Sequence, residues 1–215
     1  MSILSDFVSM SMRMLQQRMG MRRELRRATA RFPALAGLPD AIFESWKQLA
    51  DPYQEYISQV SPPVWAVSPQ TAALMHALCV LLKPKTALDL GSGFSSFVLR
   101  RYSRDASNPC TVHSVDDDPR WLDRTRHYLA ARNLQTDGMF LWPVFQAQAA
   151  AHYDFVLHDM GRMNLRLEAV PRVLDLVAPD GLLVLDDLQK QEYAHGANEQ
   201  CQQGPRLSSL LPDKK

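Results

Sequence analysis

The sequence predicts a doubly wound α/β fold built on a mostly parallel sheet. Short apolar runs alternate with helical patterns from Ala87 to Leu185, which is typical of parallel strands joined by right-handed helical crossovers. A glycine turn, GSG at 91–93, follows the first apolar run, and aspartates follow several of the later ones. Ligands of such sheets bind at the carboxyl ends of the strands. We therefore expect the glycine turn and the aspartates to share one site.

Helical patterns precede the sheet. The stretch from Ala41 to Leu49 places Ile42, Phe43, Trp46 and Leu49 at helical spacing, which predicts a core-facing helix. A second helix is expected from Pro69 to about Leu82, because Ser68 suits its N-cap and proline its first turn. Strands are then expected at 87–90, 111–115, near 138–141, 154–157 and 182–185, with helices at 95–102, 120–132 and 165–177.

Length and composition favour a single-domain protein from a reducing compartment. A chain of 215 residues can bury a sizeable core. Lys plus Arg, 24 in number, nearly balance the 23 Asp plus Glu, so global charge gives no reason to expect a nucleic-acid partner. Cys79, Cys110 and Cys201 are odd in number and widely spaced. They favour reduced structural thiols in a cytoplasmic protein.

The N-terminal stretch Met1–Arg31 is rich in arginine and methionine and poor in acids. We favour a helix that packs on the domain or on a second subunit, as in a homodimer. A transit peptide or a helix at a membrane surface is the alternative. No apolar run is long enough for a signal peptide or a membrane span. The predicted division is a helical segment at 1–60, a ligand-binding domain at 61–188 and a polar tail at 189–215.

The segment ALDLGSG, residues 87–93, carries the most specific signal. Gly91 and Gly93 let the backbone approach a ligand closely, because neither has a Cβ. Asp89 precedes the turn by two residues, and a carboxylate there would favour a cationic sulfonium or ammonium ligand over a pyrophosphate. The second expected strand ends at Asp116, 25 residues after Gly91. An acid there is suited to a ribose diol.

The motif DLGSGFSS, together with the acid after the second strand, resembles the class I S-adenosylmethionine-dependent methyltransferases. The resemblance covers about Ser61 to Leu188 and implies a Rossmann-like methyltransferase sheet. Ser95 replaces the third glycine that is frequent in the family. In the O-methyltransferases that the chain resembles, a serine-containing turn lies over the methionine end of the cofactor, and Ser68 is the corresponding residue. The alternative is that Ser68 only caps the helix that follows it. The implied cofactor contacts are Ser68, Asp89, Gly91, Ser92, Gly93, Ser95, Ser96 and Asp116.

Three further aspartates follow the last two expected strands: Asp159 after one, and Asp186 and Asp187 after the other. Clustered carboxylates repel one another unless a cation intervenes, and hard divalent cations prefer carboxylate oxygens. The arrangement resembles the metal-dependent O-methyltransferases of the catechol and macrolide-sugar types, which implies that these three residues bind Mg²⁺. The implied reaction is O-methylation of a small-molecule acceptor, a diol, catechol or sugar. Helix caps or solvated side chains are the alternative.

The general base is less well marked. The resembling catechol-type enzymes have a lysine three residues after the first of these aspartates, where this chain has Arg162, which cannot act as a base. His158, beside Asp159, is the candidate because the pKa of histidine lies near neutrality. Alternation along the strand could equally turn it into the interior. For Arg162, the expected role is instead to orient an acidic substrate or to neutralise the aspartates.

The C-terminal stretch 189–215 departs from the family. It is glutamine-rich and shows no two strands, so the usual last hairpin is predicted to be absent or divergent, or supplied by a partner. A non-catalytic S-adenosylmethionine-binding or interaction protein is therefore the main alternative function. An NAD-dependent oxidoreductase is disfavoured by Asp89 and Ser95.

Overall fold

The computed structural model describes residues 26, 28–30, 32–148 and 152–203. Within them, five parallel strands form one sheet in the order β3-β2-β1-β4-β5. The strands are β1 (Thr86–Leu90), β2 (Thr111–Asp116), β3 (Met139–Leu141), β4 (Tyr153–His158) and β5 (Val177–Leu185). The α-helices are α1 (Leu38–Gln59), α2 (Pro69–Leu82), α3 (Phe94–Asp105), α4 (Pro119–Ala130), α5 (Trp142–Gln148), α6 (Met163–Leu176) and α7 (Gln191–Gln203).

The strand order confirms the predicted doubly wound sheet. The chain moves outward from β1 to β3, then returns to the other side of β1 with β4 and β5. The order therefore reverses between β1 and β4, and ligands of open α/β sheets bind in the crevice at such a reversal. The glycine turn leaves β1 and the first of the three aspartates leaves β4. The topology brings them to one crevice.

The central strand β1 buries both of its faces. Ala87 packs among side chains from α1, α2, α3 and α4, whereas Leu88 and Leu90 pack with residues of α5 and α6. This two-sided burial explains why β1 is a continuous apolar run and not an alternating one. Side chains alternate along a strand, so Asp89 lies on the same face as Ala87. Asp89 therefore points towards the α3 side of the sheet.

Helix α1 is longer than the sequence predicts, and its buried face differs. Its buried residues are Ser45, Leu49, Tyr53 and Tyr56. Phe43, predicted to lie in the core, is 61% exposed. Ser45 Oγ lies 2.9 Å from His76 Nδ1 of α2 in a buried hydrogen bond, which fixes α1 against α2. The helix thereby carries Tyr56 to the crevice.

The C-terminal helix α7 was not recognised in the sequence, where 189–215 reads as a polar tail. Its buried Tyr193, Ala197 and Cys201 pack against Val170 of α6. Within the described residues β5 forms one edge of the sheet. Residues 204–215 and most of the predicted helix Met1–Arg31 lie outside the described residues.

Two other expectations concern the whole chain. All three cysteines are buried and free, as predicted for structural thiols. None of the described helices is both long enough and apolar enough to cross a membrane.

Gly91 directly follows β1 and lies beside Asp159, which directly follows β4. Its φ is +107°, a conformation that favours glycine. A Cβ at position 91 would lie 2.8 Å from both the backbone carbon and the oxygen of Asp159. Any side chain would push the glycine turn away from the end of β4.

We therefore expect Gly91→Ala to lower the free energy of unfolding by about 1–3 kcal/mol, from backbone strain and steric overlap. Gly37→Ala is the matched control, because a Cβ at Gly37 meets no atom within 4 Å, and its effect should stay below about 1 kcal/mol. Urea denaturation of the three proteins measures both effects. Equal stabilities for the two variants would show that the contact with β4 is not tight.

Candidate functional site

The glycine turn is held by the serines that follow it. Gly93 caps α3, and its N–H donates to Ser96 Oγ at 3.2 Å. The hydroxyl of Ser95 donates to the carbonyl of Gly91, also at 3.2 Å. Ser95, which replaces the third glycine of the family motif, thus stabilises the turn. The free N–H groups of the first turn of α3 lie directly after this bend.

Asp89 lies beneath the turn and is fully buried. Its Oδ2 accepts hydrogen bonds from the hydroxyls of Ser96 and Ser114, while Oδ1 has no partner among the described residues. Burial raises the pKa of Asp89 to about 6, against the opposing effect of these serines and of Arg100. In this conformation Asp89 would act on a ligand through its charge and through Ser96, not by direct contact.

Asp116, the predicted ribose acid, is joined to the glycine turn. Its Oδ2 accepts from both the N–H and the hydroxyl of Ser92, each at 2.8 Å, and its Oδ1 accepts from the N–H of Asp118 at 3.0 Å. Burial raises the pKa of Asp116. A carboxylate oxygen can accept two hydrogen bonds, so Oδ1 keeps one acceptor position. The structure thus brings Asp116 and the turn together, as the sequence predicts.

Two aromatic residues beside the turn were missed. The indole Nε1 of Trp121 donates to the carbonyl of Ser92 at 2.5 Å, and Arg124 lies 5.1 Å from the centre of the Trp121 ring. The Tyr56 hydroxyl is buried without a partner in the described residues and would lie 3.2 Å from a Cβ at Gly93. Trp121 follows the ribose acid closely in sequence and could have been noticed. Tyr56 lies beyond the predicted end of its helix.

The aspartates after β4 and β5, here called the acidic rim, are Asp159, Asp186 and Asp187. A buried arginine of α6, Arg166, lies between two of them. Its Nη1 is 2.7 Å from Asp159 Oδ1 and 2.9 Å from Asp187 Oδ2. Its Nη2 donates to the carbonyls of Asp159 and Gly161 at 2.7 and 3.2 Å. Arg166 therefore supplies the cation of the rim.

The two bridged carboxylates differ in proton affinity. Burial raises the pKa of Asp159 to about 7, aided by the charges of Asp186, Asp187 and Asp89, although Arg166 opposes the shift. Partial burial also raises the pKa of Asp187, but Lys190 and Arg166 outweigh it and the net shift is downward. Asp187 thus remains an anion near neutral pH, whereas Asp159 exchanges its proton there.

The rim does not fit the predicted Mg²⁺ site. No group of three His, Cys, Asp or Glu residues within the described ranges is placed to hold a metal ion. Asp186 is turned to its own neighbour, because its Oδ1 accepts from the N–H of Asp187 at 2.8 Å. The inner oxygens of Asp159 and Asp187 face a guanidinium. A divalent ion bound between these facing oxygens would have to displace Arg166.

His158 takes the interior alternative. It is fully buried, and its Nε2 lies 2.7 Å from the carbonyl of Arg166. Burial lowers the pKa of His158 to about 4. The prediction that His158 is the general base is therefore corrected: alternation along β4 turns it away from the rim and towards α6.

The structure also places two other residues named in the sequence analysis, Ser68 and Arg162. Ser68 caps α2, because its Oγ accepts from the N–H of Thr71 at 3.0 Å, and its cofactor contact stays a prediction. Arg162 is exposed at the start of α6. The neutralising role suggested for Arg162 is filled by Arg166, one helical turn further on.

Comparison with known proteins finds similarity in fold but not in sequence. No family model and no curated protein matches the chain. Among solved structures, the methyltransferase PaMTH1 of Podospora anserina, bound to S-adenosylhomocysteine, is 18% identical with a TM-score of 0.52, over 87% of this chain and 77% of that one.

Two O-methyltransferases are similar to the same degree. TomG of Streptomyces achromogenes, involved in tomaymycin synthesis and in complex with S-adenosylmethionine, is 18% identical with a TM-score of 0.50, over 74% of this chain and 77% of its own. The Bacillus cereus O-methyltransferase, in complex with S-adenosylhomocysteine, is 15% identical with a TM-score of 0.52, over 76% and 80%. The chain therefore has the Rossmann-like fold of the class I S-adenosylmethionine-dependent methyltransferases.

The raised pKa of Asp159 predicts a pH effect on stability. Between about pH 4 and pH 7, folded Asp159 keeps a proton that the unfolded chain has lost, so its contribution to stability falls as the pH rises. Asp159→Asn cannot titrate. From pH 5 to pH 8 the variant should therefore gain about 1 kcal/mol or more of unfolding free energy relative to the wild type.

Urea denaturation at both pH values measures this difference. Asp180→Asn, at an exposed position of β5, is the matched control and should follow the wild type. Parallel curves for wild type and Asp159→Asn would contradict the raised pKa.

Proposed function

We propose that the protein is an S-adenosylmethionine-dependent methyltransferase that acts on a hydroxyl group of a small molecule. The observation that carries the proposal is a pair of hydrogen bonds that join the glycine turn to the end of β2. Ser92 of the turn donates both of them to Asp116. This pair lies at the reversal of strand order, where doubly wound sheets bind nucleotides. The fold shared with methyltransferases supports the same ligand.

The residues around the turn fit an adenosine with a cationic tail. Gly91 and Gly93 allow a tight turn in which a Cβ would meet Asp159 or Tyr56, and the remaining acceptor position on Asp116 suits a ribose hydroxyl. Buried Asp89 adds negative charge below the turn without a neutralising contact at Oδ1. That charge would favour a sulfonium. When bound, S-adenosylmethionine supplies an electrophilic methyl group.

Asp159 is the candidate general base. It leaves β4 directly beside Gly91, its side chain is 25% exposed, and only its Oδ1 is bonded to Arg166 among the described contacts. A base is most effective when its pKa lies near the working pH, and that of Asp159 is about 7. Asp159 would accept the proton of the acceptor hydroxyl as the oxygen becomes the nucleophile. Arg166 holds its carboxylate in place.

A methyl-transfer screen tests the proposed function. The full chain is incubated with S-adenosylmethionine labelled in the methyl group and with catechols, sugars and small phenols. Transfer to a hydroxyl, together with at least about a 100-fold loss of kcat in Asp159→Asn, is the expected result. Binding of S-adenosylmethionine without transfer to any acceptor would favour the non-catalytic binding protein, and absence of binding would overturn both.

Asp116 gives a prediction that needs no acceptor. Asp116→Asn preserves the shape of the side chain but removes its charge, so it should weaken S-adenosylmethionine binding by about 1–3 kcal/mol. Isothermal titration calorimetry measures this. Asp117→Asn, at the exposed neighbouring position, is the matched control and should bind like the wild type. If Asp117→Asn weakened S-adenosylmethionine binding by this amount and Asp116→Asn did not, Asp117 would be the residue that binds the ribose.

A further inference from the structure

We propose that Arg166 is the built-in cation of the acidic rim and takes the place of a divalent metal, so that the site methylates a single phenolic hydroxyl without a neighbouring oxygen. The inference rests on the proposed function for its substrate class. Its statement about the metal stands on geometry alone.

The position of Arg166 is fixed from several directions. The residue is 5% exposed, and its two Nη atoms contact two carboxylates and two backbone carbonyls. Its own carbonyl lies 2.7 Å from His158 Nε2. A buried guanidinium held in this way between two partly buried carboxylates is costly to remove.

The contacts leave no room for a directly bound metal ion between Asp159 and Asp187. Mg²⁺ binds oxygen ligands at about 2.0–2.1 Å in a near-octahedral arrangement. The facing oxygens of Asp159 and Asp187 are already 2.7 and 2.9 Å from the same nitrogen. Lys190 adds a second cation, 2.8 Å from Asp187 Oδ2. The charge that a metal ion would supply is present in the chain itself.

This substitution changes what the acceptor must provide. A metal site selects substrates with two adjacent oxygens, because both bind the ion and the ion acidifies the attacked hydroxyl. An arginine whose two Nη atoms are both engaged by the protein and whose Nε is buried offers no such bidentate grip. The acceptor must then bring its own acidity, and a phenol, with a pKa of about 10 as in tyrosine, is within reach of a carboxylate base near neutrality. An aliphatic alcohol is not, because its pKa lies close to the roughly 15.7 of water.

The metal part is tested with Mn²⁺ alone, by the electron paramagnetic resonance signal of the free ion in solutions of the full chain. The wild type should leave the signal of about 100 µM Mn²⁺ unchanged. Arg166→Gln removes the positive charge between the rim carboxylates. This variant should bind Mn²⁺ at least about tenfold more tightly than the wild type does. Adding Asp187→Asn to Arg166→Gln should abolish that binding and so locate the ion at the rim.

Arg162→Gln is the matched control, since it removes the same charge from an exposed position at the start of the same helix, and it should bind no Mn²⁺. A folded Arg166→Gln that binds none would overturn the proposal. Arg166→Gln must first show a wild-type circular dichroism spectrum. If it does not fold, the wild type still decides: Mn²⁺ binding that is lost in Asp159→Asn would overturn the proposal.

The substrate part is tested by turnover in EDTA with phenol and catechol acceptors that carry the same ring substituent. The expected kcat/KM is unchanged by EDTA, and the value for the phenol lies within about tenfold of that for the catechol. Loss of activity in EDTA, or methylation of the catechol alone, would overturn the substrate class. If S-adenosylmethionine binds but neither acceptor reacts, the proposed phenolic substrate is wrong. The Mn²⁺ titration then still tests whether Arg166 takes the place of a metal ion. If the cofactor does not bind, the proposed function itself fails.

Discussion

The close contact between Gly91 and the backbone of Asp159 is the constraint on which the site depends. The absence of a Cβ lets the carboxyl ends of β1 and β4 lie side by side at the reversal of strand order, where the N–H of Asp159 donates to the carbonyl of Leu90 at 2.7 Å. On one side of the contact lies the glycine turn with Asp116, and on the other lies the acidic rim. A cofactor seated on the turn would therefore lie beside the carboxylate that we propose as the base.

The carboxylates of the site are stabilised in two different ways. Asp89 and Asp116 accept hydrogen bonds from neutral hydroxyl and N–H groups and form no direct ion pair within the described residues, although Arg100 lies near Asp89. Asp159 and Asp187 share the charge of Arg166. The first arrangement leaves a negative environment for a cationic ligand. The second places a cation among the rim carboxylates, which supports the proposal that the site works without a metal.

The sequence predicted what depends on local patterns. The positions of the strands along the chain, the cap at Ser68 and the nearness of the glycine turn to Asp116 follow from periodicity, capping and motif spacing. Arg166 could not be predicted, because its contact with Asp187 joins residues 21 positions apart and no pattern marks a charge pair between a helix and a strand end. His158 was wrongly placed for a related reason. Its neighbour Asp159 faces the rim, and alternation turns His158 inward.

A crystal structure of the full chain grown with both S-adenosylhomocysteine and Mg²⁺ tests the central claim most directly. The account predicts the adenosine ribose within hydrogen-bond distance of Asp116, the turn at Gly91 and Gly93 against the ligand, and Arg166 still between Asp159 and Asp187. A ribose bound elsewhere would contradict the assignment of the cofactor site. A Mg²⁺ ion bound by Asp159 and Asp187, with Arg166 displaced, would contradict the role given to the arginine.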